Sequence, residues 1–144
     1  MLRAWKREDI SQIAQIEQRC FPKGAWTREQ IEQTFLQEGF YSVLCEDGQI
    51  QGYLGAVLNA WEAEIAFIGV DIPFRRQSLA EKMLDELISF VKNTGREKIF
   101  LEVRISNLPA INLYTKKGFK SYSIRKNYYE GTEDAVCMVF EVNG

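Results

Sequence analysis

Arg75 and Arg76 sit in a short basic turn inside the run Ile68-Gly-Val-Asp-Ile-Pro-Phe-Arg-Arg-Gln-Ser-Leu-Ala80. An apolar strand that ends in such a turn and opens into an amphipathic helix leaves several backbone N–H groups unpaired. Those amides carry partial positive charge at the helix start. Two arginines beside them complete a seat for an anion, so the turn predicts a phosphate-bearing ligand.

Two further residues have the chemistry to move protons. Glu102 lies between Leu101 and Val103, and strand alternation turns it away from both. A carboxylate in such apolar surroundings resists ionisation unless it is paired or wetted, and a raised pKa suits a base working near neutrality. The competing reading is a structural ion pair with Arg104, on the same strand face. Tyr114 precedes Gly118 by four residues; a phenol can donate a proton, but core packing is the usual role of a helix tyrosine and the one its residue type alone favours. The chain contains no histidine, which removes the commonest general base, the commonest metal ligand and every Ser-His or Cys-His pair. Proton transfer falls to carboxylates, tyrosines, lysines or water, and no metal site is predicted.

The elements that must position these residues follow from patterning. After a short strand over residues 2–5, Asp9 caps a helix carrying Ile10, Ile13 and Ile16 on its apolar face. Thr27-Arg-Glu-Gln30 reads as a capping box for a second helix through Phe35. Residues 41–46 and 49–58 form two strands around the hairpin signal Asp47-Gly48, and residues 62–70 form another. From Leu79 the positions Met83, Leu84, Leu87, Ile88 and Val91 share one helical face, and Gly95 ends that helix. Residues 99–103 read as a strand covered on both faces. Asn107 caps a short helix with Pro109 in its first turn, stopping at Gly118, and strands follow over 119–124 and 135–142. The order β-α-α-β-β-β-α-β-α-β-β is a mixed α/β sheet with a helical crossover at its centre.

No linker or repeat divides the 144 residues, and an apolar content of 46% is enough to fill one core, so residues 1–144 are expected to form one domain. A net charge of −2 argues against a general nucleic-acid binder. No apolar run is long enough to span a bilayer, and the N-terminus lacks the features of a signal peptide. Cys20, Cys45 and Cys137 are odd in number and widely spaced. They form neither a disulfide framework nor a metal knuckle, and read as small buried hydrophobes in a reducing, cytoplasmic compartment.

With these motifs in order, the chain resembles the GCN5-related N-acetyltransferases (GNAT fold) and, within them, the RimI-type alanine acetyltransferases. Val70-Asp71 followed by Arg75-Arg-Gln-Ser-Leu-Ala80 is similar to that family's acetyl-CoA pyrophosphate loop. Leu101-Glu-Val-Arg-Ile-Ser-Asn107 and Ala110-Ile-Asn-Leu-Tyr-Thr-Lys-Lys-Gly-Phe119 are similar to the second half of its cofactor site. Arg125-Lys-Asn-Tyr-Tyr129 with Glu133-Asp-Ala135 resembles the C-terminal segment of the RimI branch.

The resemblance implies a mostly antiparallel sheet flanked by helices and an acetyl-CoA-dependent N-acetyltransferase with no metal. By that implication Arg75, Arg76, Gln77, Ser78, Leu79 and Ala80 hold the pyrophosphate, and Ile68, Gly69 and Val70 line the pantetheine arm. Asn107 caps its helix, contacts the cofactor, or does both. Glu102 deprotonates the amine and Tyr114 protonates the departing thiolate, in direct transfer without an acetyl-enzyme. Trp26, Tyr128 and Tyr129 shape the acceptor groove and Glu133 or Asp134 attracts a basic peptide, unless these are ordinary packing or surface residues.

Ser78 departs from the family pattern, which has glycine there; serine either crowds the phosphate or compensates with its hydroxyl. The partner implied is the N-terminal alanine of a small-subunit ribosomal protein, without direct contact to nucleic acid or membrane. Rival acceptors are a small amine or a lysine, and a non-catalytic acetyl-CoA-binding module is the rival of another class.

Overall fold

The computed structural model describes residues 1–143. It contains β1 (Leu2–Arg3), α1 (Ile10–Cys20), α2 (Arg28–Phe35), β2 (Phe40–Glu46), β3 (Ile50–Leu58), β4 (Glu62–Val70), α3 (Leu79–Asn93), β5 (Lys98–Arg104), α4 (Leu108–Lys116), β6 (Lys120–Tyr129) and β7 (Glu133–Glu141). The order is the predicted one, with single 3-10 turns added at Arg7–Asp9 and Ile72–Phe74. The strands form one sheet in the order β1-β2-β3-β4-β5-β7-β6. Among the described residues only β4 and β5 run parallel, joined by the crossover through α3.

Each face of the sheet buries its own apolar cluster. Alternation along β2 and β3 sends Leu44 and Tyr53 to the face covered by α1 and α2, where Trp5, Ile10, Ile13, Ile16 and Ile31 meet them. Val43, Cys45 and Leu54 face the other way, onto Met83, Leu84, Leu87, Ile88 and Val91 of α3 and Tyr114 of α4. Each large side chain buried this way contributes about 1.5–3 kcal/mol. The helix ends follow the residues that stop them. Thr27 and Gln30 make the reciprocal capping box that opens α2. α3 ends at a left-handed Gly95 (φ +74°). There the Arg96 amide reaches the Val91 carbonyl, and the Gly95 amide reaches that of Lys92.

Three expectations are corrected. Asp9 does not cap α1 with its side chain; its carboxylate accepts from the Lys6 amide and pairs with Arg3 at 2.8 Å, closing the 3-10 turn instead. β5 is not covered on both faces. Ile99, Leu101 and Val103 are buried, whereas Phe100, Glu102 and Arg104 are only half-buried, because their face opens toward a cleft and the β6–β7 edge. β6 continues beyond residue 124 to Tyr129. It is an edge strand exposed almost throughout, so no apolar alternation marks its second half.

Candidate active site

The site begins with a failure of pairing. β4 and β5 are in register only where Glu62, Ala63 and Glu64 face Lys98, Ile99 and Phe100. β4 then runs on to Val70 and β5 to Arg104 without further partners between them. The register of β4 against β3 jumps from Ile65 to Phe67, leaving Ala66 as a bulge at the start of the divergence. An extra residue bends its strand and strengthens the local twist, which splays β4 away from its neighbour.

The Asp71 amide donates to the Gln51 carbonyl beside the Gly52–Val70 pair, so that pair is the non-hydrogen-bonded kind. The main-chain groups of Val70, and by alternation those of Ile68, therefore point away from β3 and into the split. A cleft of roughly 1040 Å3 passes through it.

At one end of the cleft lies the basic turn. Arg76 and Ser78 both adopt left-handed backbone, at φ 66° and 61°. Ser78 places no side-chain hydrogen bond on α3, so the first amides of that helix have no side-chain cap. Arg76, Ser78, Leu79 and Ala80 line the cleft, but Gln77 does not. Arg75 lines it too, with its Nε donating to the Val70 carbonyl at 3.1 Å. The Cys20 thiol donates to the same carbonyl at 3.3 Å. Burial pushes that thiol's pKa up, which keeps it a donor. On the far side Asn107 caps α4 by accepting from the Ala110 amide at 3.3 Å, and its residue also borders the cleft.

Glu102 reaches the cleft from β5, but its surroundings differ from those anticipated. Its carboxylate pairs with Arg125 of β6 at 2.8 Å and its side chain is 27% exposed. The apolar, unpaired setting expected of it is therefore absent. The rival partner Arg104 is engaged elsewhere, with Glu130 at 2.9 Å and Glu133 at 3.0 Å. Tyr128 adds its ring to Arg125 at 5.1 Å. The Tyr114 side chain enters the cleft from α4, on the face opposite Glu102, and burial holds its phenol well above the usual tyrosine range.

Of the residues expected at the acceptor end, Trp26, Tyr129 and Glu133 line the cleft, and Tyr128 and Asp134 do not. Trp26 stands edge-on to Phe67 at 4.8 Å. Tyr129 packs under the Arg104 guanidinium at 4.3 Å, and burial pushes its phenol up to about 12. Glu133 is already bonded to Arg104 and Ser106, while Asp134 accepts from the Asn127 amide.

Ile68, Gly69 and Val70 line the cleft, and a side chain on Gly69 would begin 2.5 Å from the Tyr53 hydroxyl, so the glycine also makes room for core packing. Sequence reasoning missed Glu17 and Arg104 in the cleft wall. A carboxylate four residues after Ile13, on the apolar stripe of α1, was the available signal for Glu17.

Among the described residues no group of histidine, cysteine or acidic side chains is arranged to hold a metal, and no helix is long and apolar enough to cross a membrane. Comparison with known proteins agrees with this architecture. Residues 10–119 match the model of the acetyltransferase (GNAT) family. The chain is 31% identical over 140 residues to the ribosomal protein bS18-alanine N-acetyltransferase of Escherichia coli K12, covering 94% of this chain and 93% of that one. It is 34% identical over 144 residues to the protein of the same name from Salmonella typhimurium, again covering 94% and 93%. The crystal structure of the Escherichia coli ribosomal-protein-S18-alanine N-acetyltransferase superposes with a TM-score of 0.90 at 29% identity, covering 99% of this chain and 93% of that one. A split sheet, a left-handed basic turn before the crossover helix, and nearly full-length similarity converge on one assignment: this chain belongs to the GNAT acetyltransferase family.

Proposed function

We propose that this protein is a single-domain, cytoplasmic Nα-acetyltransferase that moves the acetyl group of acetyl-CoA onto the N-terminal alanine of a small-subunit ribosomal protein. The observation that carries the reading is the split between β4 and β5, with a carboxylate and a phenol on opposite walls of one cleft beside β4 main-chain groups that no neighbouring strand pairs. The alanine acceptor is supported by the names of the relatives from Escherichia coli and Salmonella typhimurium.

The residues present fit the donor. Uncapped amides of α3 and the left-handed Arg76–Ser78 turn suit a diphosphate, with Arg75 and Arg76 adding charge. The main-chain groups of Ile68 and the amide of Val70 suit an amide-bearing arm lying along β4. The donor supplies a thioester, already activated toward an amine. An α-amine with a pKa near 7.7–8.0 is about one-third neutral at pH 7.5, whereas a lysine near 10.4 is neutral in about one molecule per thousand. A carboxylate base of modest strength therefore suits a protein N-terminus.

Glu102 takes the amine's proton, directly or through a water, in competition with Arg125. The Val70 amide polarises the acyl oxygen. Tyr114 remains protonated at neutral pH and donates to the leaving thiolate, whose own proton affinity rises in the same buried setting. Trp26 and Tyr129 flank the incoming chain, and the Glu130 and Glu133 side keeps an excess of negative charge over Arg104 for a basic acceptor.

The test is a thiol-release assay on short peptides differing only in their first residue, with mass spectrometry locating the acetyl group. Acetylation of the α-amine of alanine-initiated peptides is expected. Exclusive modification of lysine side chains or of small amines would reassign the acceptor, and acetyl-CoA binding without turnover on any amine would end the catalytic reading.

A further inference from the structure

The Glu17 carboxylate takes no part in the chemistry above, yet it lies in the wall of the same cleft and is 4% exposed. Among the described residues no cation pairs with it. The Tyr53 hydroxyl donates to one oxygen at 2.5 Å and the Trp26 amide to the other at 3.1 Å. Tyr53 is fully buried, and its hydroxyl occupies the space above Gly69 of β4. A continuous set of contacts therefore runs from Gly69 through Tyr53 and Glu17 to the main chain of Trp26, whose ring returns to β4 at Phe67.

Residues 21–27, between α1 and α2, contain neither helix nor strand and form the cleft wall at Phe21, Pro22, Lys23, Gly24 and Trp26. They are tied from within by Glu17 and from without by Arg104, which donates to the Lys23 carbonyl at 2.8 Å. A buried carboxylate without a cation is costly, and two strong donors are what retain it.

We propose that Glu17 is a positioning residue for the acceptor: by holding the Trp26 main chain against β4 it fixes the wall of the groove that receives the amine. The proposal rests on the acyl-transfer reading of this cleft. Glu17→Ala removes both acceptor atoms. It is expected to raise the KM for an alanine-initiated peptide about tenfold and to leave the KM for acetyl-CoA unchanged, with kcat altered less than about twofold. Amide hydrogen exchange at Trp26 should accelerate in the same variant. Glu17→Gln keeps both contacts, because the amide oxygen can accept from Trp26 while its NH2 donates to the Tyr53 oxygen. It should restore acceptor KM and slow exchange to near wild-type values.

If Glu17→Ala does not fold, Glu17→Met fills a similar volume without an acceptor and carries the same expectations. A folded variant with wild-type acceptor KM overturns the proposal. So does loss of kcat alone in both Glu17→Ala and Glu17→Gln, which would make Glu17 a proton acceptor. Should the wild-type protein acetylate no peptide, the acyl-transfer reading fails by itself. Exchange at Trp26 then decides whether Glu17 holds the wall, and unchanged exchange in Glu17→Ala refutes it.

Discussion

Glu102 and Tyr114 approach the cleft from opposite sides of the sheet in very different states. Glu102 is ion-paired with Arg125 and partly wetted, whereas Tyr114 is buried and held protonated. A base that begins ion-paired has to release its guanidinium before it can take the proton of the amine. Glu102→Gln keeps the shape of the side chain and removes the base. Tyr114→Phe keeps the ring packing against Phe119 and removes the donor. Each is expected to lower turnover about 100-fold or more, within the usual contribution of general acid–base groups, with acetyl-CoA affinity changed by less than about threefold. Calorimetric titration beside single-turnover rates checks the pair. Undiminished turnover in both variants refutes the assigned roles, and a parallel collapse of affinity would make them binding residues. The choice between a catalytic Glu102 and a Glu102–Arg104 pair was not legible in the sequence. Its actual partner, Arg125, lies on a strand two positions away across β7.

The turn that feeds α3 stores strain at Ser78. A left-handed backbone costs an ordinary residue about 1–2 kcal/mol, and glycine avoids that cost at the expense of more freedom in the unfolded chain. Ser78 makes no capping bond that would offset it. Ser78→Gly is expected to raise Tm by about 3–5 °C and to leave acetyl-CoA affinity equal or tighter. Thermal unfolding and a binding titration measure both, and a loss of affinity would show that the hydroxyl is itself a ligand.

Elements of this kind were the most legible part of the chain. β4 and α3 fall at the residues their patterning dictates, because Glu62, Val70, Leu79 and Gly95 mark local changes of period or backbone handedness. The split itself left no such mark. It arises from the register of β4 against two neighbours, including the bulge at Ala66, and pairing between strands far apart in sequence has no local signature. Tyr128, adjacent to Tyr129 in the motif, lies outside the cleft that Tyr129 lines.

Across the whole molecule, buried and half-buried carboxylates set opposing responses to pH. Asp9 and Asp71 are held below the usual carboxylate range by the guanidinium groups of Arg3 and Arg19. Their folded values lie under the unfolded value of about 3.9, so the stability they add is complete above it and is lost as pH falls through the folded values. Glu17 works in the other sense. Burial raises its folded value above the unfolded one of about 4.3, so protonation favours the native state and stability falls as pH rises through the raised value. Together these predict a Tm that climbs modestly as pH is lowered from above the raised Glu17 value toward about 4.3 and then drops as pH falls below about 3.9. Glu17→Gln, which removes the buried charge and keeps its contacts, should be more stable than wild type at pH values above the raised Glu17 value, and the difference should vanish only as pH falls below the unfolded value of about 4.3. Scanning calorimetry across that range on both proteins is the measurement. The acid drop should be common to the two, since Asp9 and Asp71 are untouched, whereas the upper slope should belong to wild type alone. Superimposed curves above about pH 4.3 would mean that the native protein carries the Glu17 charge at no cost, which refutes the burial penalty.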